Sequence, residues 1–401
     1  MTKSILSVEN IKTYSTVELL YKLANQTMEN TTIIEYLAND GIPKEVVEVL
    51  SEMADNGELS SFIDEELLGG LKKSVNECFY NVKDFNVKGD GETDDTEMIN
   101  LLIKKVYEDG GGVIVFPKGV YLTNGINMKS NVIIRGVENA STYMSDKHPV
   151  IIKPYHKNVT SIFNCENATG FQISGVMIDG GGVANGVVKG SFYHIKNCHF
   201  RNCYGAIGDG NAIQSVIIEN NKIDSSTVGV WSVVDSRILN NFINANQWGI
   251  KLGSGANDNL IESNKIEWNN VNGIECYMNH HNIINANIVD RSGAPGIDMR
   301  HCSHSVISNN VLRRNGAMTG VETEKTHLYL LSCNDINVNG NMTYACSITD
   351  NVDDEIKPSY GMIFYSNDSL LLTGNNLYGN TVQTYAEDGN NKRFINTGNL
   401  I

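Results

Sequence analysis

Apolar residues recur along the last two thirds of the chain at a fixed interval. The motif apolar-x-x-Asn-x-Ile sets Ile178, Phe200, Ile223, Ile243, Ile266, Ile288 and Val311 in one column, with steps of 22, 23, 20, 23, 22 and 23 residues. Such a step is about half that of a propeller blade, and the LxxLxLxxN pattern of leucine-rich repeats is missing. Short apolar runs separated by Asn- and Gly-rich turns predict an all-β fold: a right-handed single-stranded parallel β-helix with one coil per repeat. Asn221, Asn241, Asn264 and Asn309 each stand two residues before a column position, where amides can stack and a left-handed backbone is tolerated. Insertions near Met318 to Lys325 and Val352 to Ser359 lengthen the later coils, after which Met342 and Leu377 continue the column.

A second motif, Gly-apolar-x-apolar, begins at Gly205, Gly229, Gly249, Gly273, Gly296 and Gly361. Strand alternation turns Ile250/Leu252, Ile274/Cys276 and Ile297/Met299 inward and the residues between them outward. The expected outer row is Ile207, Trp231, Lys251, Glu275, Asp298, Tyr329 and Ile363. A second row holds Val233, Gly253, Tyr277, Arg300, Leu331 and Tyr365. Parallel rungs lie about 4.8 Å apart, so Glu275 falls beside Asp298. Carboxylates that close cannot both ionise freely, which splits their pKa values and suits them to acid/base chemistry.

Glu275 and Asp298 are therefore the candidate catalytic residues, with Lys251, Arg300, Trp231, Tyr277, Tyr329 and His301 as candidate substrate-binding groups. His280, His281, His301 and His304 follow the same sheet and have the chemistry of proton shuttles or metal ligands. No cofactor is required by the pattern, and a divalent metal at these imidazoles is left open. Opposite charges on adjacent rungs also suit any solvated sheet, where Lys251 and Glu275 would be an ordinary cross-strand pair. Asp179 and Asp209 lie in Gly-rich turns and read as turn formers.

Residues 1–80 follow a helical rhythm, with Val17, Leu19, Leu20 and Leu23 and later Phe62, Ile63, Leu67 and Leu68. This is the expected helical adaptor or oligomerisation segment, and residues 81–401 are the β-helix, with 81–125 as its N-terminal cap. The cap reads VKDFNVKGDGETDDTEMINLLIKKVYEDGGGVIVFPKGVY: strand, Gly-rich turn, amphipathic helix from Thr96 to Tyr107, and strand. It resembles the opening of the pectate-lyase-like superfamily of phage tailspikes, in which DFGAKGDGxTDDTxAIQxAI precedes GGGxVxxPxGxY. That resemblance implies a helix plugging the solenoid, turn and capping roles for Asp90, Asp94 and Asp95, and a homotrimer. With MADNGELSSFIDEELLGGLKKSVNE before it, the chain resembles appendage proteins of phages that infect Gram-positive hosts. The resemblance implies a virion protein that binds and hydrolyses a cell-surface glycopolymer such as teichoic acid, attached to other tail or neck proteins through residues 1–80. A non-catalytic receptor-binding spike is the alternative.

A net charge of −15 argues against a nucleic-acid partner, which would need clustered Lys and Arg. The eight cysteines form no CxxC pairs and read as reduced, mostly buried side chains. No run is long and apolar enough for a membrane span, and the N-terminus lacks a signal-peptide core, so synthesis in a host cytoplasm is expected. The NTD, GHG and RIK motifs of polygalacturonases are missing from the coils, as are acidic rungs for calcium, which disfavours pectin chemistry.

Overall fold

The computed structural model describes residues 79–137, 147–316, 320–321, 324–344, 360–377, 380 and 383–400. The expected adaptor falls outside these residues except for Phe79 and Tyr80. Much of both expected insertions also falls outside them.

Three parallel sheets, of 13, 11 and 11 strands among the described residues, run the length of the solenoid. Each coil contributes one short strand to each sheet in turn, so every strand pairs with its counterparts one coil before and one coil after. Inward side chains make three stacks. The first sheet stacks Ile195, Ile218, Ile238, Ile261, Ile284 and Ile307. The second stacks Ile178, Phe200, Ile223, Ile243, Ile266, Val289 and Leu312. Ile207, Val230, Ile250, Ile274, Ile297, Leu328 and Met362 follow one another in the third. All of these side chains are fully buried, each stabilising the fold by about 2 kcal/mol.

Three expected column members are displaced by one residue. Ile266 pairs with Val289, not Ile288, and Val289 pairs with Leu312, not Val311. Ile288 is an exposed outward residue, as is Met342, which pairs with Val311 while Thr343 takes the inward place. Leu377 is buried as expected. Adjacent apolar pairs, Ile288-Val289 and Val311-Leu312, make the two parities look alike.

The turn between the first and second sheets divides two jobs between neighbouring residues. Asn220, Asn240 and Asn309 carry φ near +55°, and Ser263 and Ala286 do the same in other coils. The next residue in each coil is a buried asparagine: Asn221, Asn241, Asn264, Asn287, Asn310, Asn341 and Asn375. Asn309 is therefore the left-handed residue and Asn310 the ladder residue. After Asn221, which accepts from Cys198 N alone, each ladder oxygen accepts from the backbone N–H and amide of the coil before it, as Asn264 Oδ1 does from Asn241 N (2.9 Å) and Asn241 Nδ2 (3.0 Å). Asn264 Nδ2 in turn donates to the Ile238 carbonyl at 2.8 Å. Similar ladders occupy the other turns, through Ser226, Asn246 and Asn269 and through Ser236, Asn259 and Asn282.

Among the described residues one α-helix is present, α1 (Thr96–Glu108). Ile99, Leu102, Ile103 and Val106 form its buried face, packed on the strands of the first coil. Thr96 N donates to Asp94 Oδ1 at 3.0 Å. Asp95, at the N-cap, makes no capping bond; its carboxylate instead accepts from Lys88 N (2.6 Å) and Gly89 N (2.9 Å), tying the Gly-rich turn to the helix start. Asp90, Asp179 and Asp209 accept backbone N–H bonds within their own turns. The six described cysteines are all buried. No described helix is long and apolar enough to cross a membrane.

Ladder geometry makes a stability prediction. Asn264→Ala leaves the Asn241 N–H buried without a partner and removes the amide that donates to the Ile238 carbonyl, and should cost about 3 kcal/mol. Asn309→Gly, which removes no ladder bond, should change stability by less than about 1 kcal/mol. Chemical-denaturation midpoints of the two variants test the difference.

Candidate active site

The third sheet carries the site on six strands: β1 (Val228–Trp231), β2 (Trp248–Leu252), β3 (Ile274–Tyr277), β4 (Ile297–Arg300), β5 (Thr326–Leu331) and β6 (Tyr360–Tyr365). Their register aligns Trp231, Lys251, Glu275, Asp298, Tyr329 and Ile363 on successive rungs. Tyr277, Arg300, Leu331 and Tyr365 make the adjoining row. Two expected members depart from these rows. Ile207 pairs with Val230 and points into the core, because the strand at Gly205 is shifted by one residue and a one-residue shift reverses the face. Val233 leaves the sheet and pairs with Ile213 in a separate two-stranded ribbon.

The recurring glycines have a steric cause. A Cβ on Gly249 would lie 2.5 Å from the Gly273 carbonyl oxygen, and one on Gly273 would lie 2.7 Å from that of Gly296. Coils pass too closely at this corner for any side chain, which keeps β2, β3 and β4 in register.

Glu275 and Asp298 sit on the floor of a cleft of about 310 Å³, flanked by Trp248, Tyr277, Arg300 and Glu324. Glu275 Oε2 accepts from the Trp248 indole N–H at 2.9 Å, and its Oε1 is 3.5 Å from Lys251 Nζ. That ammonium also lies 4.0 Å from the centre of the Trp248 ring. Asp298, only 3% exposed, is held by the Arg300 fork, with Nε to Oδ1 at 2.9 Å and Nη2 to Oδ2 at 2.8 Å. Arg300 Nη2 also reaches Glu324 Oε1 at 3.1 Å. Burial pushes the Asp298 carboxyl up to about 6, despite the opposing pull of Arg300; the negative charges of Glu275 and Glu324 add to the rise. Asp298 thus holds a proton at pH values where an ordinary carboxyl is ionised.

Lys251, Arg300 and Tyr277 gather around the carboxylates. Tyr329 shares the Asp298 row but is 7% exposed, covered partly by the Arg300 guanidinium 5.1 Å from its ring centre, so it offers no open stacking face. Trp231 lies one rung beyond Lys251, packed against Tyr204 and the Gly208-to-Gly210 turn, outside the cleft lining. His301 is exposed and meets Tyr277 edge-on at 5.8 Å. His280, His281 and His304 are bonded to Ser303, Asp258 and Asp335 respectively. Among the described residues no set of three or more His, Cys, Asp or Glu side chains converges to hold a metal ion. Trp248 and Glu324 are the two groups that the outer-row reading missed. Trp248 directly precedes a motif glycine, so the corner that brings it over the carboxylates could have been suspected; Glu324 lies in an insertion without repeat register.

A family model described as a right-handed β-helix region matches residues 174–382. The chain belongs to this right-handed β-helix family. Residues 79–148 match a second model, described as rhamnogalacturonase A/epimerase, pectate lyase-like. Alginate lyase 7 of Azotobacter vinelandii is 35% identical over 112 aligned positions, covering 25% of this chain and 12% of that protein. Mannuronan C5-epimerase AlgE5 of the same organism is 33% identical over 112 positions, covering 25% and 11%. The β-helix chain thus spans about an eighth of the length of these curated relatives. Among solved structures, the A-module of A. vinelandii mannuronan C-5 epimerase AlgE6 superposes with a TM-score of 0.62 at 16% identity, over 80% of this chain and 99% of that one. The DFA-IIIase of Arthrobacter chlorophenolicus A6 without its lid gives 0.64 at 14%, over 79% and 94%. These superpositions establish the shared fold.

The raised carboxyl leads to a titration prediction. The folded value of about 6 exceeds the unfolded 3.8, so the folded state binds more protons between them. Stability from this group is complete below pH 3.8 and is lost as pH rises through about 6, with a slope of at most about 1.4 kcal/mol per pH unit. Carbon-13 NMR of the Asp298 carboxyl should titrate near 6, lower in Glu275→Gln and higher in Arg300→Gln. A wild-type midpoint in the ordinary carboxylate range would refute the assignment.

Proposed function

We propose that the chain is a polysaccharide-acting enzyme that cleaves a glycopolymer with Asp298 as proton donor and Glu275 as the ionised partner. The observation that carries this reading is the pair of carboxylates on adjacent rungs of one cleft, held by different neighbours. Lys251 and the Trp248 N–H support negative charge on Glu275, while burial favours the proton on Asp298. In hydrolysis, Asp298 gives its proton to the glycosidic oxygen as the C–O bond breaks, and Glu275 assists water or attacks the sugar carbon. Tyr277, 44% exposed at the cleft edge, supplies a surface on which a sugar ring can rest.

Elimination at a uronate is the second reading. Arg300 in the cleft lining and Lys251 beside Glu275 supply positive charge that would offset a substrate carboxylate while a base removes the C5 proton and the C4–O glycosidic bond breaks, the leaving oxygen taking up a proton and a C4=C5 double bond remaining. The similarity to alginate lyase 7 favours it.

The fuller proposal is a phage tail appendage, a homotrimer that degrades teichoic acid or a surface polysaccharide of its host. Its support is the resemblance of the N-terminal 125 residues to phage appendage proteins. A spike that binds without cleaving is the competing outcome.

Purified protein should be incubated with teichoic acid, alginate and capsular polysaccharide. Hydrolysis yields new reducing ends without ultraviolet absorbance, and elimination yields an absorbing unsaturated sugar. Glu275→Gln and Asp298→Asn should each lower the rate at least about 100-fold while leaving polymer binding intact. Activity should fall as pH rises through about 6. Binding by the wild type with no product from any polymer would leave the spike reading standing and overturn the enzyme.

A further inference from the structure

The coil that follows Arg300 is longer than the one before it. Cys276, Met299 and Leu330 are consecutive inward residues of the third sheet, and they stand 23 and then 31 residues apart. The added residues leave the solenoid between the second and third sheets, and the two ends of the insertion meet. A Cβ on Gly316 would lie 2.7 Å from the Lys325 Cα. Gly316 N donates to the Ser292 carbonyl at 2.8 Å, and Thr326, the first residue of β5, is fully buried with its hydroxyl 3.3 Å from the Gly361 carbonyl oxygen. Glu324 therefore sits at the neck of the insertion, one residue from its closing contact, and the coils beneath it set its place.

From that neck the Glu324 side chain reaches the Arg300 guanidinium. Nη2 of Arg300 is shared, donating to Asp298 Oδ2 at 2.8 Å and to Glu324 Oε1 at 3.1 Å, while Nε is committed to Asp298. The Tyr329 ring stands behind the guanidinium, with its centre 5.1 Å away. One cation thus serves two carboxylates in unequal surroundings: the Asp298 side chain is 4% exposed and that of Glu324 is 28%. The solvated acid keeps its charge at lower cost, so the proton goes to the buried one.

Other groups facing Asp298 leave this balance alone. Burial pushes the Cys276 thiol and the Tyr329 hydroxyl up, which keeps both neutral where Asp298 titrates. Cys302 holds its thiol hydrogen towards the Cys276 carbonyl at 3.4 Å. Among the described residues, Glu275 on β3, Arg300 on β4 and Glu324 from the insertion are the charges that act on Asp298. Lys251 faces Glu275 instead.

We propose that Glu324 is a positioning residue for the cleavage: by holding the outer edge of the Arg300 guanidinium, it prevents Arg300 from pairing with Asp298 alone and so keeps the donor protonated. The proposal rests on the reading of Asp298 as the acid, and adds to it the part played by the insertion. Without Glu324 the guanidinium would belong to Asp298, the ionised carboxylate would gain, and the donor would lose its proton at lower pH. The insertion, outside the repeat register, supplies what the row of adjacent rungs does not, a second acid on Arg300.

Two full-length variants test this. Glu324→Gln keeps the shape and removes the charge, and Glu324→Ala removes both; circular dichroism and unfolding midpoints check the fold of each, and either one suffices. In each, the carbon-13 midpoint of the Asp298 carboxyl should fall below that of the wild type by about half a pH unit or more. On whichever polymer the wild type cuts, the rate of the variant relative to wild type should fall about threefold from about pH 4 to about pH 7, because its donor ionises earlier. A Glu324 that merely anchors the insertion would lower the unfolding midpoint and leave the Asp298 titration unmoved, and that result overturns the proposal. A relative rate that is flat with pH overturns it too, while leaving the enzyme reading intact. A lowered Asp298 midpoint in a chain that cuts no polymer would support the hold of Glu324 on Asp298 and sink the enzyme reading alone.

Discussion

Every feature of this protein depends on coils stacking without slipping. A parallel strand shifted by one residue exchanges its core and solvent faces, and in a solenoid that error would pass to each later coil. Hydrophobic burial alone does not forbid it, since Ile288 could replace Val289 at little cost in apolar area. The asparagine ladders do. Asn264 fits between Asn241 and Asn287 only when amide, carbonyl and backbone N–H coincide, and a slip would strand several buried polar groups at once. The glycines at 249 and 273 reinforce the constraint on the third sheet, because the close approach there is possible only at one register.

From that stacking the cleft follows directly. Lys251, Glu275 and Asp298 are far apart in sequence, yet the pairing of β2, β3 and β4 sets them on neighbouring rungs. The environments diverge because what surrounds the row changes along it. Glu275 keeps side-chain exposure of 24% and meets a cation and an indole N–H, whereas Asp298 at 4% is desolvated and depends on Arg300. Burying a carboxyl this way costs stability that the Arg300 fork only partly offsets. The pKa of about 6 expresses that balance.

Much of this was legible in the sequence, and the failures have physical causes. The Gly-apolar-x-apolar motif located the Lys251, Glu275, Asp298 row because glycine marks a fixed corner and alternation then has one phase. The asparagine motif was less secure wherever two apolar residues stood together, as at Ile288-Val289, although the asparagines at 287 and 310 identify the inward residue two positions later. Ile207 was misplaced because its strand aligns Gly205 with Val228 rather than with Gly229. Tyr329 was assigned to the correct row, but periodicity reports direction and not coverage, so its burial under Arg300 was invisible. Asn309 and Asn310 show the same limit: composition reveals that asparagine is needed at the turn, whereas only geometry separates the residue that bends from the one that bonds.

The bulky residues at the left-handed turn show how a solenoid can place chemistry where an ordinary domain would not. Trp268, Arg291 and Arg314, at the left-handed positions of the turn from the second sheet to the third, each hold a conformation that costs about 1 kcal/mol for a residue with a Cβ. In the following position of each coil, Asn269, Ser292 and Asn315 are buried, with Asn269 Oδ1 accepting from the Asn246 amide and Asn315 Oδ1 from the Ser292 N–H, which holds the backbone whatever the preceding side chain is. The strain is spread over separate coils, each supported by its own inward aliphatic residues, and no single coil carries all of it. Surface positions at such turns are consequently free to vary while the core and ladder hold register. A binding face can therefore be assembled rung by rung, which is the same logic that brings Glu275 and Asp298 together on the adjoining sheet.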